Sequence, residues 1–307
     1  MIVESYDMKR ILTVTIVPVL AVCVVMTIGW HEKEHTRATQ LAARLLPSDM
    51  PAFFVAGVPD HAAHVCLDTD IFKSRSLPEL YAAEHPEHYI DLEMLRGQKL
   101  PGDRYAFIAL CHRMGWEPQK VGTLPYAICE WTQRLQMAFA EHRRWPNDPV
   151  IQAKCLTYAG LLAHYAQDLC MPLHTSIHFD GRVAEPGDRT PRTGIHEKVD
   201  GLLRKLDATG AAIVADLEAG VFDDLRAGVV AELMRSHALV GRVYALEGVV
   251  PDQDAKSIDD AELEAFALER LRASVRFTAS LYRTAWVKSA DINVPGWIDR
   301  APKSHVN

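Results

Sequence analysis

The chain has 307 residues, 49% of them apolar, and a formal net charge of −7. That apolar content excludes a disordered chain, and the length suits one large domain. The acidic balance excludes the basic footprint typical of nucleic-acid binders, so any attraction for phosphates needs a source other than lysine and arginine.

Residues 11–29, ILTVTIVPVLAVCVVMTIG, are almost wholly apolar and follow Met8-Lys9-Arg10. A positive segment before such a run reads as a signal peptide over residues 1–29, with Met8 as the true start and cleavage before Trp30. An uncleaved membrane anchor is the alternative, because about 18 or more apolar residues can span a bilayer. Both readings place the remainder outside the cytoplasm, exported to the periplasm or medium, or anchored to the membrane. Cleavage leaves Cys66, Cys111, Cys129, Cys155 and Cys170. Disulfides are permitted there, but an odd number cannot all pair internally and the partners are not readable.

From Trp30 onward the pattern is helical nearly throughout. Residues 36–46 form a short amphipathic stretch ending before Pro47, and 47–122 mix prolines, glycines and short helical pieces. Residues 123–143 read as a helix. In 150–170, Cys155, Tyr158, Ala159, Leu162, Tyr165, Ala166 and Leu169 recur at spacings of three and four, a core-facing stripe. Residues 179–194, FDGRVAEPGDRTPRTG, cannot continue a helix. Segments 195–217, 222–246 and 262–288 resume the helical habit. No run of alternating strands, internal repeat or low-complexity linker interrupts it. The expectation is one all-α domain over residues 30–290, with a tail over 291–307.

Fourteen histidines prompt a search for metal spacing. His164 and Asp168 in HYAQDLCMPLH, His196 and Asp200 in GIHEKVD, and His31 and His35 all stand four apart. Residues at that spacing share a helix face, with Cβ atoms about 5–6 Å apart, and two such side chains can grip one zinc ion. A single pair is usually an ordinary hydrogen bond. The succession of HxxxD, PLH and a second HxxxD favours metal, and Pro172 lets His174 turn away toward a neighbouring ion. No HExxH, P-loop, GxSxG or paired CxxC motif accompanies them.

HYAQDLCMPLH resembles the HxxxD…PLH motif of the zinc-dependent superfamily that joins bacterial phospholipase C to the single-strand-specific nucleases (the S-one/P-one family). WHEKEH at 30–35, HYIDLE at 88–93 and GIHEKVD extend the likeness from Trp30 to about Trp286. It implies an all-α fold with three zinc ions in a helical cleft. Asp60, His88, His164 and Asp168 would hold the first ion, and His174, His196 and Asp200 the second. Trp30 and His35 would hold the third, with Asp168 bridging to the first. Asp68 and Asp70 compete with Asp60. Trp30 would ligate through its free amino nitrogen and carbonyl oxygen, since an indole offers only a donor N–H.

The activity so implied is phosphodiester hydrolysis, by a water activated between two close zincs. Asp60 would orient or deprotonate that water. Three Zn²⁺ against three aspartates and a hydroxide would leave the cleft locally positive in an acidic protein. The short Trp30–His35 gap, the terminal Asp200 and Tyr89, which could stack on a base, favour a nuclease acting on single-stranded nucleic acid. Phospholipase C acting on phospholipid is the alternative, and an anchored, non-catalytic metal-binding protein is a further one. No protein partner is implied, and a monomer is expected.

Overall fold

The computed structural model describes residues 32–300. The expected signal segment, Trp30 and the end of the C-terminal tail lie outside the described residues. Those residues are all-α: the sole β feature among them is an isolated bridge between Phe179 and Gly181. None of their helices is long and apolar enough to cross a membrane.

The Pro149–Cys170 helix is the axis of the fold. Asp148 starts it by accepting from the Val150 and Ile151 amides at 2.8 and 3.3 Å, and Pro149 gives up an amide that would have no helical partner anyway. From Leu161 onward every residue is buried, so the helix is enclosed on all sides rather than amphipathic. It packs against the Leu124–Arg144 helix, reached through the short connection 145–148, and against Ala261–Lys288. Asp148→Ala is expected to cost about 1 kcal/mol through loss of this cap. A shift of the urea midpoint at unchanged slope measures it.

Two large apolar clusters, with a small third at Ala42, Ala219 and Ala279, divide the interior. One gathers Phe54, Phe107, Phe139, Tyr165 and Tyr282; the other gathers Leu202, Val243, Phe266, Leu271 and Val275. The long Ala261–Lys288 helix, capped by Asp260, serves both and thereby joins them. Tyr282 sends its hydroxyl across to the Ala159 carbonyl at 2.8 Å, which satisfies a buried polar group at the helix crossing.

Where periodicity was strong, the expected helices and observed ones agree within a few residues: Glu32–Ala43, Leu124–Arg144, Pro149–Cys170 and Ala261–Lys288. The expected helix 195–217 is instead broken. Ile195–Asp200 tightens into a 3₁₀ turn at Gly201–Lys205, and a separate turn, Gly210–Val214, starts at Thr209, whose hydroxyl accepts from the Ala212 amide. A tertiary contact competes with the local helix here. The Lys205 ammonium donates to the carbonyls of Asp252, Gln253 and Ala255 and ties that region to a loop fifty residues on. The expected helix 222–246 begins only at Leu225, capped by Asp224, and divides into Leu225–His237 and Val240–Ala245.

Candidate metal centre

Three groups of side chains have ligand atoms within 4.8 Å of one another: His35, Asp70 and His164; His88, His164 and Asp168; and His174, His196 and Asp200. Each group can hold a metal ion. The first two share His164, so they form one continuous cluster on the inner end of the Pro149–Cys170 helix. Asp168 ties the whole together. Its Oδ2 lies 3.0 Å from His88 Nδ1, 3.4 Å from His164 Nε2 and 3.9 Å from His174 Nδ1, and its Oδ1 lies 3.6 Å from His35 Nε2.

The chain breaks at Met171 and enters a short 3₁₀ turn, Pro172–Thr175, which carries His174 out of line with the helix above it. His174 Nε2 then faces Asp200 Oδ2 at 3.6 Å, while His196, four residues before Asp200, approaches the same oxygen at 3.1 Å. The 179–194 loop, irregular as expected, spans the distance between the two ligand segments.

The donor set fits divalent metal on the evidence of its outward nitrogens. His164 Nδ1 bonds the Cys66 carbonyl at 2.8 Å, His174 Nδ1 the His88 carbonyl at 2.8 Å and His196 Nδ1 the Phe179 carbonyl at 3.2 Å. His35 Nδ1 bonds Gln167 Oε1 at 2.7 Å, and Gln167 in turn donates to Thr39. A carbonyl accepts only, so each of these rings keeps a proton on Nδ1 and, once neutral, turns an Nε2 lone pair inward. Both carboxylate oxygens of Asp200 are buried without a hydrogen-bond donor, a costly arrangement that a cation would relieve.

Charge follows from the same burial. Burial, helped by the neighbouring His164, pushes His35 down to about 3, and burial holds His88 well below the usual imidazole range. Both rings are therefore neutral ligands near pH 7. Burial alone would raise Asp168, but His164 and His174 outweigh it and keep this carboxylate well below its ordinary value. Burial opposes protonation of His174 too, yet Asp168 and Asp200 raise it to about 9. In the metal-free protein His174 thus carries a proton at pH 7 that an ion has to displace. Metal affinity of the His174 group is expected to rise between pH 7 and about 9 and then flatten. Calorimetry in buffers of different ionisation enthalpy should count the released proton. Affinity independent of pH over that range contradicts this.

Most sequence-expected ligands converge: His35, His88, His164, Asp168, His174, His196 and Asp200. Asp60 does not. It is exposed on the π-helical turn Val58–Ala62, and Asp70, from the following Asp68–Phe72 helix, occupies the place expected for it. Asp70 Oδ1 stands 3.6 Å from His164 Nε2 and 4.0 Å from His88 Nδ1. The role in orienting water assigned to Asp60 falls with its position. Trp30, the other expected ligand beside His35, lies outside the described residues.

Three neighbours of the cluster were missed. Lys73 places its ammonium 2.5 Å from Asp70. Burial works against that charge, but Asp70 and Asp168 raise the lysine's pKa, so a fixed cation borders the centre. Gln167 and Glu84 are the others; each sits within four residues of a ligand, which was their only available signal. Tyr89 is half-buried, with its hydroxyl donated to the Gln119 carbonyl at 2.6 Å and its ring edge-on to His85. It anchors the 85–89 segment to the short Pro118–Val121 helix. The five cysteines of the described residues are all free thiols.

No family model matches the chain. A probable serine protease from Bradyrhizobium tropiciagri is 27% identical over 213 residues, covering 60% of this chain and 26% of that protein. The chain thus spans about a quarter of that relative's length. This finding corrects the expected activity. The relative's name points toward protease-type chemistry, and neither a nuclease, a phospholipase C nor a non-catalytic metal-binding protein is supported.

Proposed function

We propose that the chain is a metal-dependent hydrolase whose reaction centre is the buried His/Asp cluster, with zinc as the ion and peptide bonds as the first substrates to test. The carrying observation is the convergence of five imidazoles and three carboxylates, four of the rings locked by an outward Nδ1 bond. Imidazole and carboxylate together suit zinc, which supplies water activation and polarisation of the scissile group when bound. The ligand set implied by the phospholipase C/nuclease resemblance belongs to this reading, with Asp70 in place of Asp60, and so does a third ion at His35. Export belongs to it as well, on the strength of the apolar run 11–29, since cleavage there would free the amino group of Trp30.

The chain's own residues divide the work. Asp168 and Asp200 bring negative charge to the buried rings. The carbonyls of Cys66, His88 and Phe179 hold three imidazoles in one tautomer, and Gln167 holds a fourth. Lys73 keeps a positive charge beside Asp70, where charge building up on a reacting oxygen can be stabilised.

The relative's name raises a serine nucleophile as the competing chemistry. Among the described residues, Ser176 donates to Glu93 at 2.6 Å, and Ser274 and Ser280 turn back to helix carbonyls; none of these is set against a histidine ring. The purified protein should therefore contain zinc, cleave casein or a peptide library, lose that activity on chelation and regain it with zinc. It should ignore a fluorophosphonate probe. Full turnover by metal-free protein, or labelling of a serine that abolishes turnover, overturns the proposal.

A further inference from the structure

Four rings of the cluster turn Nε2 inward and tie down Nδ1; His88 is reversed. Its Nδ1 faces Asp168 at 3.0 Å and His164 Nε2 at 3.1 Å. Its Nε2 is buried and has no hydrogen-bond partner. One helical turn earlier, at the end of the Pro78–Glu84 helix, Glu84 directs Oε1 at that nitrogen from 3.8 Å. The same Oε1 accepts the hydroxyl of Tyr165, whose ring also lies edge-on to His88 with centroids 5.4 Å apart. Tyr165 neighbours His164 on the ligand-bearing helix, so the carboxylate is held from the metal-binding scaffold itself.

We propose that Glu84, fixed by Tyr165, is the positioning residue for His88: a carboxylate behind the ring that keeps the proton on Nε2 and frees Nδ1 for metal. This inference rests on the metal-centre reading. A buried Nε2–H facing apolar surroundings would be unfavourable, whereas one facing a carboxylate is favoured. A carboxylate behind a ligating imidazole fixes the tautomer and raises the ring's basicity. A ligating imidazole carries its one proton on the nitrogen that does not bind the metal, so the choice lies between two tautomers. Glu84 decides it for this ring as backbone carbonyls and Gln167 decide it for the others. Nothing in the HxxxD pattern signals the reversal. It arises because His88 approaches from the 3₁₀ turn His85–His88 rather than from the central helix.

The test combines two-bond ¹H–¹⁵N spectra of histidine-labelled protein with zinc affinity from chelator competition. In zinc-loaded wild type, His88 is expected as the Nε2–H tautomer and His164, His174 and His196 as Nδ1–H rings. Glu84→Leu should lose the His88 preference and weaken zinc binding about 10–100-fold. Glu84→Gln, which retains an acceptor oxygen, should keep the tautomer and lose less. Tyr165→Phe should shift both readings in the direction of Glu84→Leu by a smaller factor, which covers the case of Glu84→Leu failing to fold. An Nδ1–H His88 in zinc-loaded wild type overturns the inference, as do unchanged tautomer and affinity in Glu84→Leu and Tyr165→Phe. Should wild type take up no zinc, the metal-centre reading fails and this inference with it, whereas zinc uptake that neither variant weakens overturns the inference alone.

Discussion

Asp168→Asn is expected to strip metal from the shared cluster while leaving an ion at His174, His196 and Asp200, and to reduce turnover by more than about 100-fold, because outer-shell changes alone cost about 10–100-fold. Asp168 faces His35, His88, His164 and His174 at 3.0 to 3.9 Å. An amide keeps the shape but removes the charge, and its N–H groups can donate into the inward lone pairs that the metal needs. The expected signature is partial metal content rather than none, measured by elemental analysis against protein concentration. Asp200→Asn should give the complementary loss. Full metal content in Asp168→Asn would mean that the carboxylate bridges nothing.

The same substitution has a pH signature in the metal-free protein. The folded-state pKa of Asp168 is depressed below an unfolded value of about 3.9, so its contribution to stability is fully present above that value. It is lost as pH falls through the folded pKa. The difference in unfolding free energy between wild type and Asp168→Asn should therefore be largest near neutrality, on the order of the 3–5 kcal/mol for breaking a buried pair, and should shrink in acid. A gap that grows on acidification would place the stabilising charge elsewhere.

Helical periodicity and the i,i+4 rule made the central helix and both HxxxD pairs legible, because local spacing alone puts those side chains on one face. Asp70 was less so. It lies where a π-helical turn, a three-residue helix and the Asp68–Phe72 helix follow each other, and no single period runs through them. Which of Asp60, Asp68 and Asp70 meets His164 depends on how those pieces stack on the core. The reversal of His88 and the break at Gly201 likewise depend on partners distant in sequence, Tyr165 in one case and the 252–255 loop in the other. Activity was the least legible part. Ligand spacing encodes how a metal is gripped, whereas the bond attacked depends on cleft-lining residues that carry no spacing signature.

Gly122→Ala is expected to damage both stability and metal binding although glycine 122 is no ligand. Gly122 has φ +87°, and a Cβ placed there would come within 2.1 Å of the Tyr89 carbonyl oxygen and 2.7 Å of its carbon. The positive φ costs about 1–3 kcal/mol for a residue with a side chain, and forcing atoms into a packed site adds about 1–3 kcal/mol. The strand of chain that would have to move is stitched on both sides. Asp91 donates its amide to Val121, Thr123 to Pro86 and Leu124 to Tyr89, while Ile90 donates to the His174 carbonyl. His174 in turn hangs its Nδ1 on the His88 carbonyl. Displacing Tyr89 therefore shifts His88 and unsettles the tautomer of His174, which joins the two halves of the centre. Gly97→Ala is the control, since Gly97 has φ +79° with nothing within 4 Å of an added Cβ. It should show the backbone cost alone and keep full zinc affinity. Equal losses in the two variants, measured by denaturant unfolding and chelator competition, would mean that the approach of Gly122 to Tyr89 plays no part in holding the centre.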